Sequence, residues 1–151
     1  MEPIGNVGNR AIYYPPISNK EALRISLPEK NWVAFTIVDV FNEKQITNLV
    51  EACLKQQVSY ICCAGNQAHL TEDYFDEIMV WSMIKQGIAL EKQELPMTTA
   101  HADLEKGFWF AAVLAEDAAY AIDKVVCLDA TEKRLKSKFI ALIRNINDNH
   151  C

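Results

Sequence analysis

Asp39, His101 and Asp129 each close or follow a short apolar run, and in an open parallel sheet such positions gather beyond the carboxyl ends of the strands, where ligands bind. Two carboxylates and an imidazole suit a divalent cation such as Mg, Mn or Zn, or a general base. Asp103, Thr131, Gly65 and Asn66 complete the set of strand-end positions. Their spacing carries no metal signature, and each acid has a plainer role. Asp103 stands where a helix N-cap belongs, while Asp39 and Asp129 can bond to backbone amides of their own turns. Cys63 with His101 is the one pairing that could bring a nucleophile to a base near strand ends. The apolar flanks of Cys63 instead favour a buried structural thiol.

Other chemistry finds less support. Gly5-Asn6-Val7-Gly8 precedes the strands, and nothing resembles a glycine-rich phosphate loop, so dinucleotide and triphosphate enzymes are disfavoured and no cofactor is expected. His69 and His150 lie in a loop and beside the C-terminus, where solvation is the ordinary fate of a histidine. The five cysteines form no C-x-x-C pair and four sit inside apolar runs, which indicates reduced thiols and a cytoplasmic location. Residues 1–10 have neither a basic start nor an apolar core of the kind a secretory signal requires.

Charge is distributed unevenly. Residues 66–130 hold twelve acids against four lysines, whereas residues 131–151 hold two acids and five bases. The acidic middle disfavours a nucleic-acid partner, because phosphate contacts need clustered Lys and Arg. The run Lys133, Arg134, Lys136, Lys138 is the exception, and it reads more simply as the solvated side of a terminal helix. Glu72, Asp73, Asp76, Glu77, Glu116 and Asp117, with Trp81 as an aromatic anchor, are the expected contacts to a basic protein partner. Tyr74, Trp109 and Tyr120 are further aromatic candidates.

These side chains must be positioned by alternating strands and helices. Residues 32–38 form a continuous apolar, β-branched run of the kind buried on both faces of a sheet, and 58–63, 97–101 and 125–128 are further strand candidates. Asn42, with Gln45 three residues on, starts a helix that runs to about Gln57. Thr71 is expected to cap a second helix ending near Gly87, whose apolar residues cover more than one stripe; burial on two sides is the favoured explanation, a partner the other. Asp103 caps a third helix, preferred over a strand for 108–115 although Gly107 weakens it, and 132–146 forms a fourth.

The fold expected is therefore α/β, a three-layer α/β/α sandwich around a small, mostly parallel sheet of four or five strands. Tyr13-Tyr14-Pro15-Pro16 marks residues 1–30 as an arm packed on a single domain spanning 31–151. A chain of this length buries one core, and no apolar run reaches the roughly 18 residues of a membrane span. Binding is favoured over catalysis: an acidic immunity or antitoxin-type protein that neutralises a basic partner such as a nuclease toxin. The alternative is a small metal- or nucleotide-dependent enzyme or ligand sensor built on Asp39, His101, Asp103 and Asp129. Convergence of those residues in one pocket favours the enzyme, and their dispersal into separate caps favours the binder.

Overall fold

The structure, a computed structural model, describes residues 2–18, 20–85, 95–116, 121–131 and 133–149. Five α-helices and one six-stranded, mostly parallel sheet make up the mixed α/β fold of these residues. The strands are β1 (Pro3–Val7), β2 (Arg10–Tyr13), β3 (Trp32–Ile37), β4 (Tyr60–Ala64), β5 (Met97–His101) and β6 (Lys124–Asp129), in the order β1-β2-β6-β3-β4-β5. Only β1 runs antiparallel to its neighbour.

The sheet has one strand more than the upper expectation. Within the segment 1–30, read from the sequence as an arm, β1 and β2 form a hairpin and α1 (Lys20–Ser26) follows. Gly8, at φ 57°, supplies the left-handed turn between the two strands. Arg10 opens β2 with a charge and leaves only Ala11, Ile12 and Tyr13 as apolar strand residues, which is why the strand is hard to see in the sequence. The buried guanidinium crosses to the far end of the chain and donates to the carbonyls of Ala111 and Ala115.

Strand residues alternate between two core clusters. Trp32, Ala34, Ile61, Cys63, Val126 and Leu128 join side chains of α1, α2 (Glu43–Lys55) and α3 (Ala68–Lys85). Val33, Phe35, Cys62, Ala64, Val125 and Cys127 join those of α4 (Leu104–Trp109), its continuation 110–114 and α5 (Lys136–Asp148). Since neighbouring strand residues point to opposite sides, the clusters occupy the two faces of the sheet. The uninterrupted apolar run of β3 is the consequence of burial on both.

Three helix starts carry information. Asn42 caps α2 as expected, its Oδ1 accepting the Gln45 amide at 3.0 Å. By contrast, α3 begins at Ala68, directly after the turn made by Gly65 at φ 99°. Thr71 is therefore not a cap but a buried helical residue whose hydroxyl has no partner among the described residues, and Glu72 and Asp73 lie beyond the first turn. The last helix starts at Lys136 rather than 132, because the preceding loop is held in another conformation by Asp129.

Residues 108–114 are helical, as preferred for most of 108–115, but the register changes. After Trp109 the helix widens to a π-turn over 110–114, closed by the Ala115 amide donating to the Phe110 carbonyl at 2.9 Å. Gly107 is what allows α4 to approach the sheet. A Cβ there would fall 3.0 Å from His101 Cβ, 3.2 Å from Ala64 Cβ and 3.3 Å from Phe35 Cε1. Gly107→Ala should thus destabilise the protein by about 1 to 3 kcal/mol through overpacking, although alanine is the better helix former by about 1 kcal/mol. Urea denaturation measures this; a variant as stable as the parent would contradict the close approach.

Candidate functional site

The chain leaves β3 through α2 to β4 and β5, then returns to place β6 on the other side of β3. The order of strands thus reverses between β3 and β6, and a crevice of about 990 Å³ opens beyond their carboxyl ends. Asp39 and Asp129 both line it, with Tyr14, Thr131, Lys133 and Arg134.

Asp129 is held on both oxygens. Its Oδ1 accepts the Thr131 amide at 2.9 Å and the Thr131 hydroxyl at 2.6 Å, while Oδ2 accepts the Tyr14 hydroxyl and the Leu135 amide, the latter at 3.1 Å. The Leu135 amide is shared with Tyr14 Oη, also at 3.1 Å. Burial, reinforced by the facing carboxylate, pushes the Tyr14 phenol pKa up, so the hydroxyl remains a donor. The network ties the end of β2, the end of β6 and the start of α5 together. Asp39 meets Lys133 Nζ at 3.7 Å, an ion pair without a short hydrogen bond.

His101 does not join them. It ends β5, two strands from β3, with Nε2 3.0 Å from Thr99 Oγ1 and its ring 4.9 Å from that of Phe110. Asp103 turns away to cap α4, accepting the Lys106 amide at 3.0 Å. The trio Asp39, His101 and Asp129 is therefore not one ligand set, and among the described residues no group of three or more His, Cys, Asp or Glu is placed to hold a metal ion.

Cys63 and His101 also part company. Cys63 pairs with Ala100 and faces the α2–α3 side, whereas His101 pairs with Ala64 and lies against Gly107 of α4 on the other. Burial pushes the Cys63 thiol up to about 12, the reverse of what a nucleophile requires.

Burial lowers the pKa of His101, so the folded state favours the neutral ring, and protonation of the unfolded chain draws stability away as pH falls below the ordinary value of about 6.5. The denaturation midpoint should therefore drop between neutral pH and mildly acidic pH by more in the parent than in His101→Gln. Equal drops would show that His101 is not the group responsible.

The acids named for partner binding divide between two places. Glu72, Asp73, Asp76, Glu77 and Trp81 all lie on α3, whereas Glu116 follows the π-turn on the other side of the sheet and lines a separate cavity with Arg10. Asp117 and Tyr120 lie outside the described residues. On α3, Thr98 Oγ1 donates to Asp76 at 2.8 Å, joining the helix to β5. Tyr74 is engaged with α2, bonding to Glu43 and Thr47 and meeting Phe41 edge to face.

Burial of α3 on two sides, the favoured expectation, is not what the structure has. One stripe, Ala68, Thr71, Phe75, Met79 and Met83, is buried. The opposite stripe leaves Leu70 48%, Val80 37%, Trp81 54% and Ile84 55% exposed. Leu70, Asp73, Glu77, Val80 and Ile84 recur at alternating spacings of three and four, which places them on one face with Trp81 beside them. That spacing is legible in the sequence, but the two apolar stripes have the same signature until packing selects one. Beside α3 runs β5, an edge strand of the sheet with Met97 exposed.

Among the described residues, no helix is long and apolar enough to cross a membrane. A family model described as a domain of unknown function (DUF7684) matches residues 12–146, from β2 to the last turns of α5. A search of curated proteins and of solved structures found no match to the chain.

Proposed function

The chain belongs to that family, whose description assigns no activity, and from its own surface we propose that it is a protein-binding module of the immunity or antitoxin type. The outer face of α3 and the adjoining edge of β5 receive a basic partner such as a nuclease toxin domain. One observation carries this reading: the second apolar stripe of α3, with a half-exposed tryptophan, faces solvent between carboxylates.

Charge complementarity selects the occupant. Asp73 and Glu77 interrupt the apolar positions, and Asp76 stands on the side toward β5, so a cationic partner is steered in while a neutral or acidic one is not. From Leu70 to Ile84 the stripe is about 21 Å long at the 1.5 Å rise of a helix. The two core clusters support reading the domain as a three-layer α/β/α sandwich, which makes α3 an outer helix. Four buried free cysteines, Cys53, Cys62, Cys63 and Cys127, fit a reducing, cytoplasmic setting for such a protein.

The strand-end acids favour the same reading. Asp39 and Asp129 share a crevice, but Asp129 spends its lone pairs on backbone amides, Thr131 and Tyr14, Asp103 caps a helix and His101 lies elsewhere. The four-residue set of the enzymatic alternative therefore does not converge.

The test is affinity capture from the source organism with the parent chain and with Trp81→Ala. A basic protein retained by the parent and released by the variant is the expected result. Retention of the same proteins by both would refute the assignment of this face.

A further inference from the structure

The crevice beyond β3 and β6 is not accounted for by partner binding on α3. We infer that it binds a phosphomonoester of a hydroxylated carbon skeleton, the chemistry shared by mononucleotides and sugar phosphates. At about 990 Å³ it is large enough for such a molecule, and it lies at the point where strand order reverses.

The argument rests on which polar groups remain uncommitted. Asp129 and Tyr14 hold each other and the loop after β6, so they are walls of the site rather than its contacts. Their bonds fix both ends of that loop, at Thr131 and at Leu135. Between these anchors Arg134 is held at φ 52°, a left-handed conformation that a branched-free but bulky side chain seldom adopts. The loop thereby brings two adjacent cations, Lys133 and Arg134, to the crevice lining. Among the described residues, the side chain of Lys133 has its 3.7 Å contact with Asp39, and Arg134 makes no ion pair.

Each feature of the ligand answers one of these groups. Two neighbouring cations match a phosphate dianion, with Arg able to bind two oxygens at once. A phosphate would draw Lys133 from Asp39, whose carboxylate then accepts hydroxyl groups of the skeleton. Pro15, Pro16 and Ile17 form a wall without charge against which carbon can lie. This inference does not depend on the α3 face, and either can fail without the other.

The experiment is titration of the full chain with adenosine 5′-monophosphate, ribose 5-phosphate and inorganic phosphate, followed by backbone amide resonances and calorimetry. At least one of the two esters should bind saturably, shifting the amides of Asp39, Thr131, Lys133 and Arg134. Tighter binding of the nucleotide would identify the nucleotide as the source, and tighter binding of the sugar phosphate the other. Lys133→Ala combined with Arg134→Ala should weaken the ester by roughly ten- to a hundredfold, the worth of one or more charge-assisted hydrogen bonds. Asp39→Asn should weaken the ester relative to inorganic phosphate, whose own binding tightens because Lys133 no longer has a competing carboxylate. The inference is overturned if neither ester shifts these amides, if the double variant binds as tightly as the parent, or if inorganic phosphate binds as tightly as both esters.

Discussion

Phe139→Ala is expected to cost about 3 to 5 kcal/mol, the usual range for emptying a fully buried phenylalanine site. Phe139 is 0% exposed on α5 and lies among three other rings. It stacks on Phe108 at 5.3 Å, meets Phe35 edge to face at 5.8 Å and is tilted against Tyr14 at 5.9 Å. Three elements that are distant in sequence, β3, α4 and α5, are joined through these rings and their neighbours on that face. Truncation would leave a cavity that none of the three can close alone, and each lost ring pair adds about 0.5 to 1.5 kcal/mol beyond the buried area. For a chain of this size the midpoint of thermal unfolding should fall by roughly 10 °C or more. Phe139→Leu, which keeps most of the volume, should lose much less. An unchanged midpoint for the alanine variant would mean that α5 is not part of the core.

The sequence states some of this directly and hides the rest for physical reasons. The β3 run Trp32–Ile37 is legible because burial on two faces removes every polar residue from it. Asn42 is legible because an N-cap is a local device, satisfied three residues away. Thr71 misleads because cap residues are recognised by type, while the turn made by Gly65 allowed the helix to begin earlier, at Ala68. The β1–β2 hairpin is obscured by Arg10, whose burial is tolerable only because the π-turn presents the Ala111 and Ala115 carbonyls to it, a contact spanning most of the chain.

The site divides along the same line. Asp39 and Asp129 are legible as strand-end residues, and they do share one crevice. Their different fates are not legible, because the Tyr14 hydroxyl that engages Asp129 comes from 115 residues away. Lys133 and Arg134 resemble the start of an amphipathic helix until the Asp129 network delays that helix to Lys136. On α3 the pattern reveals two apolar stripes, and only packing shows that Phe75, Met79 and Met83 are buried while Trp81 and Ile84 are not.

The second large effect concerns partner binding and separates the apolar part of the α3 face from its charge. Trp81 is the only tryptophan on α3, and a half-exposed tryptophan buried on binding is typical of the few residues that dominate an interface. Trp81→Ala should therefore raise the dissociation rate by about thirtyfold or more, equivalent to at least 2 kcal/mol. Asp73 and Glu77 act at longer range. Replacing both by their amides should slow association, because the field that steers a basic partner is weakened while the packed contact remains. Neither residue is in the first turn of α3 and neither is buried, so folding should hardly change.

Stopped-flow association of the captured basic partner with the Asp73→Asn, Glu77→Gln variant, repeated from low to high salt, tests the central claim most directly. Glu116→Gln, on the opposite side of the sheet, removes one charge away from the proposed face and serves as the control. The expected result is a clear loss of association rate at low salt for the α3 variant, shrinking as added salt shortens the field to about 8 Å near physiological strength, with the control unchanged. Association rates that match the parent at every salt concentration would contradict the account, and would leave the acids of α3 as a solvated surface.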